Sequence, residues 1–303
     1  MTLTELRYTL AIAQEKHFGR AAVRCNVSQP TLSVAIKKLE QRLGVHLFER
    51  HHNQIRITDV GEKIITQAQK VIEEVALIEN IASESHQQTN TAIKVGAIHT
   101  LAPYIFPSLI PALKTFAPNM PLIIQENVTQ HLATQLQTGE IDVAFVALPF
   151  NQTNIVTKPV FDEAFVVLLP QSHPLAKQTS IAPQDLKNQN TLLLGKGHCF
   201  RDQVIQHCPE CYQPSELQHA IEGSSLETLR HMVASGMGIT VLPATATHFR
   251  HYPKTLCVRP FKTTAPKRTI ALAWRASFPR TKAIDALIQA LAHSKLSNIC
   301  IIA

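Results

Sequence analysis

Two cysteines stand nine positions apart in a segment whose residue types favour a reactive thiolate. The segment runs Gly197-His-Cys-Phe-Arg-Asp-Gln203 and continues to Cys208-Pro-Glu-Cys211. His198 and Arg201 flank Cys199, which precedes a predicted helical segment at 201–207; cations and a helix N-terminus both lower the pKa of a thiol. If the segment is helical, about 13 Å of helix axis separates Cys199 from Cys208, whereas a disulfide needs Cα atoms about 4.4–6.8 Å apart. A bond between them would therefore couple oxidation of sulfur to local refolding.

The residues of this segment alone leave three interpretations open. The thiols are buried and inert, or they bind a metal ion, or they form a redox switch. Cys208-x-x-Cys211 with Cys199, His198 or His207 offers nitrogen and sulfur ligands at short range, which would suit zinc. In a redox switch, the thiolate is oxidised to a sulfenic acid that a second thiol resolves. The cysteines expected to be inert are Cys25, as small core filling, Cys257 and Cys300.

Length and composition describe an ordinary globular protein of about two domains. The chain has 303 residues, 45% of them hydrophobic and 17% charged, and a domain takes roughly 150 residues. No apolar run reaches the ~18 residues of a membrane-spanning helix, and no signal-peptide pattern opens the chain. We therefore expect a cytoplasmic location without membrane contact. Because a P-loop, a G-x-S-x-G motif and a dinucleotide fingerprint are missing from the sequence, we expect no enzyme, no cofactor and no metal.

The first 58 residues are predicted to be short helices with turns, closing on an extended piece at 54–58. Ser28 suits a helix N-cap and Pro30 the first helical turn. A short helix, a tight turn and a helix that begins with small polar residues are typical of a helix-turn-helix, whose second helix enters the major groove. The apolar face of that second helix is predicted to carry Leu32, Ile36, Leu39 and Leu43.

Charge supports a nucleic-acid partner for this N-terminal module. The whole chain carries +7. Residues 1–58 hold nine Lys/Arg and four Asp/Glu, whereas residues 59–90 hold two and six. Basic side chains on the DNA backbone supply most of the affinity. The alternative is a small helical subdomain that binds protein. The residues expected to contact double-stranded DNA are Ser28, Gln29, Pro30, Thr31 and Ser33 at the helix start, and Lys37, Arg50 and Arg56 on the backbone.

A long amphipathic helix is predicted after the first module, beginning near Asp59. Its apolar residues recur at spacings of three and four, and nothing nearby in sequence is expected to cover them, so we expect the helix to pair with a second copy. A polar linker is predicted at 83–92. The residues of the apolar stripe are Ile64, Ile65, Ala68, Val71, Ile72, Val75, Ile78 and Ala82.

Beyond the linker, strands and helices alternate, which predicts an α/β domain with a largely parallel sheet. Its length favours two α/β lobes with a cleft between them. Helices are predicted at 102–116, 130–138 and 226–235, the last ended by Gly236. The predicted strands are 93–98, 121–128, 141–146, 164–169, 191–194, 218–222, 238–242 and 269–274. The expected domains are 1–58, DNA-binding; 59–90, linker and dimerisation helix; and 91–303, regulatory, with lobe I at about 91–161 plus 268–303 and lobe II at about 162–267.

Several motifs together resemble the LysR-type transcriptional regulators. The resemblance implies a winged helix-turn-helix, a long dimerising helix and a two-lobed effector domain like the periplasmic binding proteins. It also implies a homo-oligomer, a dimer of dimers on a long operator, and contact with RNA polymerase. The motifs are Phe18-Gly-Arg-Ala-Ala22, Ser28-Gln-Pro-Thr-Leu-Ser33, Lys38-Leu-Glu40, Leu43-Gly-Val45, Leu47-Phe-Glu-Arg50, Ile57-Thr58 with Gly61, Gly139-Glu-Ile-Asp-Val-Ala144 and Ala234-Ser-Gly-Met-Gly-Ile-Thr-Val-Leu-Pro243.

The segment from Gly197 to Cys208 resembles the sensor loop of the hydrogen-peroxide-sensing members of that family. The resemblance implies that Cys199 is the peroxide-reactive thiol and Cys208 the resolving one, with hydrogen peroxide as the signal and oxidative-stress defence genes as targets. The residues that it implies around the peroxide are Thr100, Thr129, His198, Arg201, Asp202 and Arg268.

Two features depart from this pattern, and two rival functions remain. Cys211 adds a third thiol that would compete with Cys208 or bind a metal, and His219 receives no role. One rival is a LysR-type regulator that binds a small metabolite between its lobes. The other is a zinc or metal sensor that uses Cys199, Cys208 and Cys211.

Overall fold

The computed structural model describes residues 1–51, 54–82, 88–212, 222–247, 255–262, 265–294, 296 and 299–302. Three helices open the chain: α1 Leu3–Glu15, α2 Phe18–Arg24 and α3 Gln29–Leu43. The Ser28 side chain accepts a hydrogen bond from the Thr31 N–H and so caps α3 as predicted. Leu32, Ile36 and Leu39 of α3 are buried, but Leu43, in the last turn, is 37% exposed. The helix-turn-helix therefore forms where the sequence predicts it.

A two-stranded antiparallel wing follows, with β1 Phe48–His51 paired to β2 Gln54–Ile57. The alternation of apolar and polar residues predicted only the second of these strands. The first, Phe-Glu-Arg-His, does not alternate apolar and polar residues as Gln-Ile-Arg-Ile of the second does, so it shows no strand period.

Helix α4, Asp59–Ala82, begins where predicted. The expectation that nothing nearby in sequence covers its stripe is wrong at its N-terminal end, because Ile65 is buried in the core of the N-terminal helices and Ala68 is buried as well. Further along, Ile78 is 66% exposed. Ile78 is therefore open to another surface, whereas Val71, Ile72 and Val75 are half-buried. Of the predicted linker, residues 83–87 lie outside the described residues.

The described part of the regulatory region forms one sheet of ten strands with helices on its faces. Its strands follow the order β4-β3-β5-β11-β6-β9-β7-β8, and β10 and β12 also pair with β6. The strands are β3 Ile93–Ile98, β4 Leu122–Asn127, β5 Val143–Ala147, β6 Ile155–Pro170, β7 Thr191–Leu194, β8 Glu222–Gly223, β9 Ile239–Pro243, β10 Leu256–Pro260, β11 Lys267–Arg275 and β12 Ile299–Ile301. The helices are α5 Ala102–Phe116, α6 Thr129–Gln137, α7 Cys199–His207, α8 Leu226–Ala234 and α9 Thr281–His293.

The prediction of a largely parallel sheet is wrong. Strands β3, β4 and β5 run parallel, as do β7, β8 and β9, but every pairing of β6 and β11 is antiparallel. These two long strands carry the chain between the two parallel groups, so they must run against their neighbours. The first half of β6, β10, β12 and α9 were not predicted. Of the predicted strand 218–222, residues 218–221 lie outside the described residues.

Two hydrophobic cores divide the regulatory region. One contains Phe145 and Phe161, and we call the half built on it lobe I. The other contains Phe165 and Phe200, and we call that half lobe II. Phe161 and Phe165 both belong to β6, so a single continuous strand passes from one core to the other. The lobes are therefore joined by extended backbone, and a cleft opens between them.

Candidate functional site

Helix α7 lies between the two lobes and carries both cysteines of the predicted switch. It begins at Cys199, two residues earlier than predicted, and Cys208 is its C-cap. Phe200 is buried in lobe II, 5.0 Å from the ring of Phe165 between centroids. Cys199 packs on the core of lobe I, and Gln203 Nε2 donates to the Leu148 carbonyl of lobe I at 3.1 Å. The helix is thus anchored in one lobe and touches the other at its first turn.

A small cavity surrounds Cys199 in the interlobe cleft. Its volume is about 10 Å³, close to the ~10–15 Å³ that a single water-sized molecule needs. Helices α6 and α7 begin at residues that line it, Thr129 and Cys199, and α5 begins two residues beyond Thr100. Helix N-termini favour negative charge, so the cavity suits a thiolate. The lining residues are Ile98, His99, Thr100, Asn127, Val128, Thr129, Gly197, His198 and Cys199.

Two threonine hydroxyls of the cavity have different environments. Arg268 Nη1 donates to Thr100 Oγ1 at 2.9 Å, so the Thr100 hydroxyl accepts there and keeps its own proton for the cavity. Thr129 Oγ1 is buried and has no hydrogen-bond partner within the described part of the chain. A buried hydroxyl without a partner is costly unless a ligand or water completes it. Both hydroxyls are therefore available to a small polar molecule beside Cys199.

Arg268 supports the cavity from behind rather than lining it. Its Nε donates to Glu163 Oε1 at 2.6 Å, and both side chains are fully buried. The guanidinium also lies 4.9 Å from the centroid of the Phe200 ring. Thr245 Oγ1 donates to the other Glu163 oxygen at 2.6 Å. The buried pair thus connects the cavity hydroxyl of Thr100 to the anchor of α7.

The structure does not place two cationic side chains beside Cys199, although the sequence had suggested this for His198 and Arg201. Arg201 points away from the cavity, since its Nη1 donates to Glu222 Oε1 and to the Leu194 carbonyl, each at 2.7 Å. Asp202 is exposed. Burial, and secondarily the neighbouring His99, hold the pKa of His198 below its usual value, so the imidazole is uncharged at neutral pH. The N-terminus of α7 is therefore the main source of positive potential beside Cys199.

His99 is a cavity residue that sequence reasoning missed. Its ring stands 5.9 Å from that of His198 between centroids, at an interplanar angle of 60°. Its Nδ1 lies 3.8 Å from Glu126 Oε2. Its position directly before Thr100, at the end of a predicted strand, was the available signal.

The far end of α7 holds a pair of buried thiols. Cys208 and Cys211 are 0% and 1% exposed, and their two thiols are hydrogen-bonded to each other. That bond lowers the pKa of Cys208 and, together with burial, raises the pKa of Cys211. Nine helical residues, a rise of about 13 Å, separate Cys199 from the pair. None of the six cysteines forms a disulfide, and among the described residues no three potential ligands gather into a metal site.

The start of α3 presents an exposed polar face suited to DNA. Gln29, Pro30, Thr31 and Lys37 are exposed and Ser33 is half-buried. Ser28 is partly occupied by its capping bond and by a 2.7 Å contact with the Thr31 hydroxyl. In the wing Arg56 is exposed, whereas the side chain of Arg50 lies outside what the structure describes. Sequence reasoning missed Val34, which is 54% exposed on the same helix and offers a methyl surface for a thymine.

A buried ion pair joins the linker helix to lobe I. Glu73 of α4 is 6% exposed and accepts hydrogen bonds from Arg275 Nε and from the Ser277 hydroxyl. Gln69 Nε2 donates to the same carboxylate at 2.9 Å, and Arg275 Nη1 donates to the Ile141 carbonyl at 2.8 Å. This contact couples the regulatory region to the helix that leads to the DNA-binding module.

The fold and site define a class of protein: a winged helix-turn-helix carried on a helix that leads to a two-lobed sensory domain. Residues 3–62 match the family described as bacterial regulatory helix-turn-helix protein, lysR family, and residues 86–295 match the LysR substrate binding domain. The chain belongs to the LysR family of transcription regulators. In the described residues no helix is long and apolar enough to cross a membrane.

Within this family, the chain is similar to several proteins whose names refer to hydrogen peroxide or to OxyR. The chain is 37% identical over 279 residues to a hydrogen peroxide-inducible genes activator of Dickeya chrysanthemi, covering 92% of this chain and 91% of the relative. It is 35% identical over 291 residues to the DNA-binding transcriptional dual regulator OxyR of Escherichia coli K12, covering 96% and 95%. Its fold matches full-length OxyR C199D from Pseudomonas aeruginosa with a TM-score of 0.87 and 51% identity, covering 98% and 96%.

Proposed function

We propose that this protein is a DNA-binding transcription regulator that senses hydrogen peroxide through a reversible Cys199–Cys208 disulfide. One observation carries the proposal. Cys199 is the first residue of α7 in a small cavity that also contains the Thr100 and Thr129 hydroxyls, and Cys208 lies at the other end of the same helix. The relatives named for peroxide-inducible genes support it.

The proposed chemistry begins at the Cys199 thiolate. The sulfur attacks one oxygen of hydrogen peroxide, the O–O bond breaks, and the leaving hydroxide takes up a proton to become water. The hydroxyls of Thr100 and Thr129 donate to the peroxide oxygens and to the negative charge that develops on the leaving oxygen. Cys199 is left as a sulfenic acid.

Resolution requires α7 to unwind. Cys208 sulfur attacks the Cys199 sulfenic acid, the S–O bond breaks, water leaves and the disulfide forms. Because about 13 Å of helix separates the residues, the bond forms only after the segment has refolded. Refolding removes Phe200 from lobe II and changes how the two lobes meet, which is the signal.

In this proposal the regulator acts in the cytoplasm as an oligomer bound to operator DNA. Residues 1–58 bind DNA, with Gln29, Thr31 and Ser33 reaching base edges and Lys37, Arg50 and Arg56 holding phosphates. Residues 59–90 dimerise through the α4 stripe, on which Ile78 is exposed, and residues 91–303 sense peroxide. A dimer of dimers contacts RNA polymerase and controls peroxide-defence genes.

Non-reducing peptide mapping with DNA footprinting tests the proposal. Reduced protein is treated with near-stoichiometric peroxide, and a peptide containing Cys199 linked to Cys208 is expected together with a changed footprint. Cys199→Ser removes both effects. Cys257→Ser is the control, because Cys257 is a thiol of the same regulatory region that lies outside α7, buried in lobe II, and burial raises its pKa. Unmodified Cys199 after peroxide treatment, or a footprint that changes equally in Cys199→Ser, would contradict the proposal.

A further inference from the structure

Cys208 and Cys211 are already neighbours before any oxidation. The 3-10 turn Pro209–Cys211 follows α7 directly, and the Cys211 N–H donates to the Cys208 carbonyl at 2.9 Å. Residues three apart eclipse each other in a 3-10 turn, so the side chains of Cys208 and Cys211 lie on the same side of the turn, and their thiols are hydrogen-bonded to each other. A disulfide between these two residues therefore needs only a small local adjustment.

The two disulfides available to Cys208 have opposite effects on α7. A bond to Cys199 destroys the helix and removes Phe200 and Val204, which are 2% and 1% exposed, from the core of lobe II. A bond to Cys211 leaves the helix and both side chains in place. The Cys208–Cys211 disulfide is thus compatible with the conformation that the Cys199–Cys208 disulfide disrupts.

We propose that Cys211 is an exchange partner that ends the switched state, an inference that rests on the proposed function. In the Cys199–Cys208 disulfide, Cys211 gives its proton to solvent and its sulfur attacks the Cys208 sulfur. The Cys208–Cys211 bond forms, the Cys199–Cys208 bond breaks, and the electron pair leaves on Cys199 as a thiolate. The chain holds one disulfide before and after the exchange, so no oxidant or reductant is consumed.

The exchange restores the sensing conformation without a reductant. Freed Cys199 returns to the first turn of a re-formed α7, where the helix N-terminus favours its negative charge. Before switching, the hydrogen bond to Cys208 and burial hold the proton on Cys211 by raising its pKa, so Cys211 is unreactive. Unwinding of α7 removes that bond and exposes the turn, which makes Cys211 an attacking group only after the switch has operated.

Time-resolved, non-reducing peptide mapping of the full chain tests the exchange. One equivalent of peroxide is added, samples are quenched with an alkylating agent, and cleavage after Glu210 separates Cys208 from Cys211. The Cys199–Cys208 product is expected first, followed by Cys208–Cys211 with Cys199 again alkylated. In Cys211→Ser and Cys211→Ala the second product is lost and the first persists through the time course.

The outcomes separate this inference from the proposed function. If the Cys199–Cys208 bond persists equally in the unmutated chain and in Cys211→Ser, the exchange is wrong and the peroxide switch stands. If Cys199 forms no disulfide in either protein, both ideas fail. If Cys199→Ser forms Cys208–Cys211 at the unmutated rate, peroxide oxidises the pair directly and the exchange is overturned. The time course of the unmutated chain decides the question even where a Cys211 variant folds poorly.

Discussion

Replacing the cavity threonines by valine separates their roles, because the same chemical change meets two environments. Thr129→Val removes a hydroxyl that has no protein partner in the described structure. Thr100→Val removes the acceptor of Arg268 Nη1, a buried donor. Valine keeps the shape of threonine, so each substitution deletes a hydroxyl and little else.

The expected magnitudes follow from the hydrogen bonds. A bond to a charged group contributes about 1.5–3 kcal/mol, so loss of either hydroxyl slows the reaction of Cys199 with peroxide by about 13- to 160-fold. Unfolding free energy responds differently. Thr129→Val leaves it unchanged or slightly higher, since no protein hydrogen bond is lost. Thr100→Val lowers it by about 1–3 kcal/mol, since Arg268 keeps an unsatisfied buried N–H.

Rapid-quench mass spectrometry of Cys199 oxidation gives the rate constants, and urea unfolding gives the stabilities. Thr134→Val is the matched control on the same helix, because Thr134 is exposed and its hydroxyl bonds only the Gln130 carbonyl. Its oxidation rate stays at the unmutated value. Oxidation of Thr129→Val at the unmutated rate would refute a role for that hydroxyl, and equal stability losses in Thr129→Val and Thr100→Val would refute the assignment of their hydrogen bonds.

Three further predictions concern charge. The fold lowers the pKa of His198, so as the pH falls through about 6.5 the unfolded chain protonates this histidine before the folded chain does, and the free energy of unfolding decreases. His198→Gln is expected to flatten this pH dependence, as measured by urea unfolding between about pH 7.5 and 5.5. Glu73→Ala removes the close acidic partner of the buried Arg275 and, among the described residues, leaves it only Asp142, at 4.0 Å. Unfolding free energy is expected to fall by as much as about 3–5 kcal/mol, whereas a loss below about 1 kcal/mol would mean that the Glu73 pair contributes little. Lys37→Gln is expected to reduce the slope of log affinity against log salt concentration by about the value of one phosphate contact. An unchanged slope would mean that Lys37 does not contact a DNA phosphate.

Local patterns predicted the elements that position the site. Helix α5 was predicted with the bounds it has, because its apolar spacing and flanking signals lie within fifteen residues. The cap and proline of α3 likewise predicted the start of that helix. Both features depend on neighbours in sequence, which is why a single sequence reveals them.

Features that depend on distant partners could not be predicted in the same way. Arg201 was expected to face Cys199, but it pairs with Glu222, 21 positions away, and Arg268 pairs with Glu163 across 105 positions. Sequence shows that an arginine is present but not which carboxylate the fold brings to it. The same limit applies to the antiparallel β6, whose neighbours are set by the return of the chain between lobes.

The anchoring of α7 explains why the proposed disulfide is a reversible switch rather than a permanent bond. Removing Phe200 and Val204 from the core costs about 1.5–3 kcal/mol for each side chain, so forming the Cys199–Cys208 bond works against about 3–6 kcal/mol of packing. For a two-electron couple, 1.4 kcal/mol corresponds to about 30 mV. The packing therefore raises the reduction potential by roughly 65–130 mV relative to a disulfide formed without unwinding. The same side chains that hold Cys199 ready in the cavity make its disulfide easier to reduce, and they favour any reaction that lets α7 form again.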